Sequence, residues 1–215
     1  DHYGGIERDR SVPAWLRVGH RWIEQYVGVS PQLADWARTA GIPRDRIAMI
    51  PNGVDLRRLA RATAVDLRGE LRLAPDRRIV LVVATVRRDK GIELALEALA
   101  KLRSTDAHLA IAGAMPDTAY ATALLATRDR LGLGERVSFL GPRRDVAGLA
   151  RSADVGLLSS HTESGPLVLV EYLAAGLPIV ATRVGEIGRR LHALGVPGFV
   201  PPGRADQLAA ALDEL

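Results

Sequence analysis

From Leu73 onward, short apolar runs alternate with longer stretches in which apolar positions recur every three or four residues. The runs at 79–85, 108–113, 136–140, 155–158, 179–182 and 198–200 predict strands, and the stretches at 92–102, 117–131, 145–151, 166–175 and 205–212 predict helices. Ile92, Ala95, Leu96, Leu99 and Leu102 have the spacing of a helix face laid on a sheet. The strand runs are apolar at successive positions rather than alternating, the pattern of parallel strands covered on both faces by helices. Strand–helix alternation over this length predicts an α/β fold, a doubly wound, Rossmann-like parallel sheet.

The first 55 residues complete no such unit. A strand at 26–30, a helix at 32–40 stopped by Gly41 and Pro43, and a strand at 46–50 read as an incomplete α/β segment. Trp15, Trp22 and Tyr26 are spaced seven and four apart, which a helix would gather on one side. Such a stripe is commonly core, but in a partial unit at least one ring is expected to lie exposed or against another chain. The segment 51–55, Pro-Asn-Gly-Val-Asp, has turn chemistry, and the arginine-rich stretch 56–76 reads as a connection. This divides the chain into 1–55 and 56–215. A start at Asp1 rather than methionine fits a piece of a longer product.

Composition narrows the function classes. The 215 residues carry a formal charge of +4, but lysine occurs only at Lys90 and Lys101 and the remaining positive charge is arginine scattered along the chain. A nucleic-acid binder would concentrate basic residues along one stripe and interleave aromatics for stacking. Here five of nine aromatics, Tyr3 among them, fall within the first 36 residues, so nucleic acid is not expected as a partner. No apolar run approaches the roughly 20 residues a spanning helix needs. Cysteine is absent, and no signal-peptide pattern is present, which together fit a cytoplasmic location. The five histidines show no ligand spacing with acidic residues, and no metal site is expected.

Ligands of a doubly wound sheet bind beyond the carboxyl ends of its strands, where helix N-termini offer free amides. Two strand–helix junctions here are chemically loaded. After the first strand comes Thr85-Val86-Arg87-Arg88-Asp89-Lys90-Gly91, which sets a flexible cation and bare amides at a helix start, as a phosphate requires. A loop-tip lysine that only aids solubility has the same pattern. The second junction, His161-Thr162-Glu163-Ser164-Gly165-Pro166, leads into the apolar helix that carries Glu171. Pro166 suits the first helical position, with Ser164 or Gly165 at the cap. Glu171 is costly to bury unless something polar meets it, and the hydroxyl pair of a sugar or ribose would do so; a half-exposed helix edge would also accommodate it. His161 is read as an incidental loop histidine.

Taken together, these pieces resemble the retaining glycosyltransferases of family 4, which have the GT-B architecture of two facing Rossmann-like domains. The resemblance runs from about Val27 to Leu212 and rests on "IPNGVD" at 50–55, "DKG" at 89–91, "SFLG" at 138–141, "ADVGLLSS" at 153–160 and "ESGPLVLVEYLAAGLPIVAT" at 163–182, with seven residues between Glu163 and Glu171. It implies that residues 56–215 are the C-terminal nucleotide-sugar-binding domain and 1–55 the tail of an N-terminal acceptor domain, whose remainder, or a partner chain, would lie near Trp15 and Trp22. It further implies a nucleotide-diphosphate sugar as donor, no cofactor and no required metal. Glu171 would bind the ribose hydroxyls. Glu163 would lie closest to the reacting carbon, as the catalytic residue. Lys90, Gly91 and the amides following Glu163 (Ser164, Gly165, Leu167 and Val168) would hold the diphosphate, and Gly141 would border the base. The donor's own phosphate could accept the acceptor proton. A lipid-linked acceptor would bring the protein to the inner face of a membrane.

Several positions depart from the family pattern. Thr85 stands where the family has an arginine, so Arg87 or Arg88 would have to reach the diphosphate; Pro166 replaces a glycine; and Glu186 and Arg189 replace a glycine and a glutamate. The fragment is therefore expected to transfer sugar weakly or not at all. A non-catalytic nucleotide-sugar-binding module and a GT-B nucleotide-sugar epimerase remain alternatives.

Overall fold

The computed structural model describes residues 11–215; Tyr3 lies outside them. A short helix α1 (Ala14–Gly19) runs into a 3₁₀ turn (His20–Trp22), and strand β1 (Tyr26–Gly28), helix α2 (Pro31–Thr39) and strand β2 (Ile47–Met49) follow. β1 and β2 pair in parallel as a two-stranded sheet. Ser30 caps α2 by accepting from the Leu33 amide, with Pro31 at the first turn. The expected single helical stripe of Trp15, Trp22 and Tyr26 does not form, because the helix ends at Gly19 and Tyr26 is in a strand. Trp15 and Trp22 are 71% and 77% exposed. They are surface rings, not core.

The stretch read as a connection contains two short helices, α3 (Leu56–Arg61) and α4 (Leu67–Glu70). Each is started by an aspartate cap: Asp55 accepts from the Arg57 and Arg58 amides, and Asp66 from that of Gly69. The remaining elements are β3 (Arg78–Val83), α5 (Ile92–Ala100), β4 (Ala107–Ala112), α6 (Thr118–Arg130), β5 (Val137–Gly141), α7 (Val146–Ser152), β6 (Val155–Leu158), α8 (Leu167–Ala174), β7 (Ile179–Thr182), α9 (Gly185–Ala193), β8 (Phe199–Val200) and α10 (Ala205–Asp213). Helix α9 has no counterpart in the sequence reading.

The six strands β3–β8 form one all-parallel sheet in the order β5-β4-β3-β6-β7-β8. Winding runs outward from β3 to β5, then restarts beside β3 at β6 and runs the other way. The switch point therefore lies between β3 and β6, the two strands whose following loops carry Lys90 and Glu163.

Alternate residues along each strand sort into two cores. Val80, Val82, Leu109, Ile111 and Leu157 pack with α5, α6 and α10, whereas Ile79, Leu81, Ala110, Leu158 and Ala181 pack with α4, α7 and α8. That explains strands apolar on both faces, and burying each large aliphatic side chain contributes roughly 1.5–3 kcal/mol. The second core fixes α8 with particular rigour. The Tyr172 ring is fully buried, and its hydroxyl donates to the Leu81 carbonyl and accepts from the Val83 amide, each at 3.1 Å. A Cβ at Gly156 would lie 2.4 Å from that ring. Glycine on β6 is what lets α8, and with it Glu171, sit so close to the sheet.

Candidate functional site

The loop after β3 ends in a 3₁₀ turn (Arg88–Lys90) closed by Gly91, whose left-handed backbone (φ +58°, ψ +40°) turns the chain into α5. A Cβ there would stand 2.3 Å from the Ser159 carbonyl oxygen, so only glycine lets this turn press against the loop after β6. The two loops are stitched by backbone and side chain. The His161 amide donates to the Asp89 carbonyl at 2.9 Å and the Ser159 hydroxyl to the Lys90 carbonyl at 3.1 Å; the Thr182 hydroxyl at the end of β7 steadies the second loop by donating to the Ser160 carbonyl at 2.7 Å.

That frame brings Lys90 to Glu163. Nζ donates to Oε1 at 2.7 Å, and the two side chains are only 15% and 13% exposed. The Ser160 hydroxyl donates to the same carboxylate oxygen at 2.8 Å, and the Asp89 carboxylate lies 3.8 Å from Nζ. Arg87 grips Asp89 through Nε at 3.1 Å and Nη2 at 2.6 Å. Burial opposes ionisation of Asp89, but the hydrogen bonds and charge of Arg87, with the charge of Lys90, outweigh it and hold the carboxyl below its usual value. Arg87 is thus turned to Asp89 rather than presented as a spare cation, and Arg88 stacks over the Tyr120 ring, 5.1 Å from its centroid.

Glu171 has a different setting. It shares a cleft of about 940 Å³ with Leu167, with Asp55, Arg57, Arg58 and Arg61 of the α3 region, and with Arg144 before α7. Its carboxylate accepts no hydrogen bond from any described residue; burial raises its pKa above the usual value, and the charge of Arg58 acts in the opposite direction. The chain starts α8 one residue later than expected: Pro166 is the cap and Leu167 the first helical residue, with no side-chain cap bond, so neither Ser164 nor Gly165 is the cap. At a helix start the Leu167 and Val168 amides have no intrahelical acceptor. Ser164 is buried with a hydroxyl that finds no partner among the described residues. Gly165 faces Asn52, whose Nδ2 would be 3.7 Å from a Cβ there. Gly141 closes β5 in a left-handed conformation (φ +68°) and accepts from the Gly113 amide at 2.8 Å. The adjoining Pro142 and Arg143 border a smaller hollow of about 280 Å³ that also holds Thr85.

The structure therefore bonds Lys90 directly to Glu163, packs Gly91 against Ser159, and sets Leu167 and Glu171 in a cleft that neither Lys90 nor Glu163 lines. The sequence reading missed Asn52, Arg58 and Arg144, which line or approach that cleft. The only signal for Arg58 was the aspartate cap at Asp55, which marks a helix start. His161 does not act alone: its Nε2 is 2.8 Å from a Glu93 carboxylate oxygen, and Tyr120 donates to the other oxygen of Glu93.

A six-stranded parallel sheet wound both ways from one switch point, with helices on both faces, is the Rossmann-like fold of the GT-B glycosyltransferases. The Anabaena protein Alr3699/HepE, crystallised in complex with UDP-glucose, superimposes with a TM-score of 0.84 at 25% identity, over 100% of this chain and 60% of that one. The chain belongs to the glycosyl transferases group 1 family, whose model matches residues 77–215, and a glycosyltransferase family 4 model matches residues 2–58. Similar curated proteins include the D-inositol 3-phosphate glycosyltransferase of Mycobacterium marinum, 34% identical over 175 residues, covering 79% of this chain and 37% of that protein. Another is the N-acetyl-alpha-D-glucosaminyl L-malate synthase of Bacillus anthracis, 30% identical over 180 residues, 83% of this chain and 46% of that protein. The chain spans less than half the length of these curated relatives. Among the described residues no helix is long and apolar enough to cross a membrane.

Proposed function

We propose that residues 56–215 form the donor-binding half of a retaining, family 4 type glycosyltransferase, and that residues 1–55 are the tail of its acceptor domain. The observation that carries this reading is the Lys90–Glu163 pair at the switch point, beside the free amides that open α8. A nucleotide-diphosphate sugar would place its ribose hydroxyls on Glu171, a cleft carboxylate that accepts no hydrogen bond from any described residue. Its diphosphate would lie between Lys90, Gly91 and the amides of Ser164, Gly165, Leu167 and Val168, and its base beside Gly141.

Lys90 Nζ has three N–H groups and spends one on Glu163, so two remain for phosphate oxygens. In the transfer, the bond from the anomeric carbon to phosphate breaks and a bond to the acceptor oxygen forms on the same face. The acceptor proton passes to the departing phosphate oxygen, whose growing charge is met by Lys90 and the α8 amides. These donors are already in place, which is the source of the rate gain. Glu163 contacts the hydroxyls of the transferred sugar. The expected role for Arg87 is reassigned: it holds Asp89 beside Lys90 and so positions the ammonium.

The test is a thermal-shift screen of the 215-residue chain with UDP, GDP, ADP and their sugars. One nucleotide series should stabilise the fold by about 2.7 kcal/mol at 100 times its dissociation constant. The chain alone should turn donor over slowly, if at all. No shift with any nucleotide, or brisk transfer by this chain, would contradict the reading.

A further inference from the structure

A further cavity, of about 330 Å³, shares no lining residue with the Glu171 cleft; Gln32, His161, Thr162, Arg183, Gly185 and Arg189 line it. It adjoins the backbone of the Glu163 loop. A Cβ at Gly185 would lie 3.1 Å from both Cβ and the carbonyl oxygen of Glu163, and the Glu186 amide donates to the Ser164 carbonyl at 3.0 Å.

The lining contains two guanidinium groups, an imidazole and the start of the nine-residue helix α9, and no carboxylate. Arg183 has no carboxylate partner among the described residues; its Nη1 faces His192 Nε2 at 2.8 Å. Arg189 has only a loose contact with Glu186 at 3.6 Å, and Arg190 shares that carboxylate at 3.8 Å. His161 is backed by Glu93. The excess is positive, and guanidinium groups at a helix start match the geometry of carboxylate and phosphate oxygens. Gln32 also lines the cavity, and its side-chain oxygen is buried with no hydrogen-bond donor among the described residues.

We propose that this cavity binds a small hydroxyl-bearing anion, its carboxylate or phosphate between Arg183 and Arg189 and a hydroxyl on Gln32. Resting on the donor-site reading above, that anion is the acceptor, held against Glu163 on the side that the nucleotide does not occupy. Arg189, where the family pattern has glutamate, is then a specificity residue of this chain.

The test is calorimetric titration of the 215-residue chain with glycerol 3-phosphate, with and without saturating UDP, against glycerol and inorganic phosphate as controls. Glycerol 3-phosphate should bind at least tenfold more tightly than either control. Arg183→Gln and Arg189→Glu, both at exposed positions, should each weaken it at least tenfold and leave UDP affinity unchanged. Equal binding of glycerol, unaltered binding in both variants, or no binding of glycerol 3-phosphate would overturn the proposal. A separate arm compares UDP-glucuronate with UDP-glucose. An arginine-dependent preference for the glucuronate, without glycerol 3-phosphate binding, would place the acid on the donor and overturn the acceptor assignment. Arginine-dependent glycerol 3-phosphate binding in a chain that binds no nucleotide would sustain the anion site and sink the donor reading.

Discussion

Glu163 and Glu171 lie on either side of the start of α8, yet the protein treats them oppositely. Glu163 is met by Lys90 and by the Ser160 hydroxyl, and two loops from different crossovers are locked together around it. Glu171 is half-buried, accepts no hydrogen bond from a described residue and faces a cleft, with the charge of Arg58 as its nearest compensation. A carboxylate satisfied by the chain is held in place before any ligand arrives. One left unsatisfied is a cost of folding that a ligand can repay. The contrast separates a carboxylate preset by the chain from one that a ligand must satisfy.

The largest effect should come from breaking the satisfied half. Lys90→Met leaves Glu163 enclosed without its cation and should lower stability by about 3 kcal/mol, read from urea unfolding. Adding Glu163→Gln to it should recover much of that loss, because the stranded charge is then gone. Additive losses would show that the pair is not coupled.

Gly91→Ala should come next. The new Cβ would meet the Ser159 carbonyl at 2.3 Å in a left-handed conformation, and strain of this kind costs about 2 kcal/mol. The loops should separate, and nucleotide affinity should fall together with the melting temperature. Wild-type affinity in a destabilised variant would detach the turn from the site.

The smallest stability effect should be at Glu171. Burial raises its folded pKa, so the folded state binds a proton more readily than the unfolded chain. This group alone makes stability fall as pH rises through the folded pKa, and the penalty is fully relieved below the unfolded value. Asp89, with its folded pKa lowered, has the opposite sign: its contribution is present above the unfolded pKa and is lost as pH falls through the folded one. Glu171→Gln should therefore be neutral or slightly stabilising near neutral pH, and subtracting its pH–stability curve from that of the wild type should isolate a slope of the Glu171 sign. A clear loss of stability in Glu171→Gln would mean that the carboxylate has a structural partner.

The sheet was readable because its strands are apolar at successive positions, and every predicted strand from β3 to β8 exists to within a residue or two. The loaded loops were readable because Lys90 is one of two lysines and Glu163 and Glu171 stand out in apolar surroundings. What escaped is short or tertiary. α3 and α4 are six and four residues long, too brief for periodicity to show against an arginine-rich background, and only their aspartate caps marked them. α9 is amphipathic but opens on Gly185 and carries Arg189 and Arg190, so no helix was expected there. That Arg87 would turn to Asp89, and that Arg58 would stand near Glu171, depend on packing between segments far apart in sequence.

On the proposed reading, Lys90 and Glu171 serve different parts of one nucleotide. Calorimetric titration of the wild type, Lys90→Met and Glu171→Gln with the nucleoside and the nucleoside diphosphate selected by the thermal screen tests this most directly. In the wild type the diphosphate should bind at least tenfold more tightly than the nucleoside. Lys90→Met should erase that difference and spare the nucleoside, and Glu171→Gln should weaken both ligands alike. Diphosphate binding at wild-type strength in both variants would contradict the account.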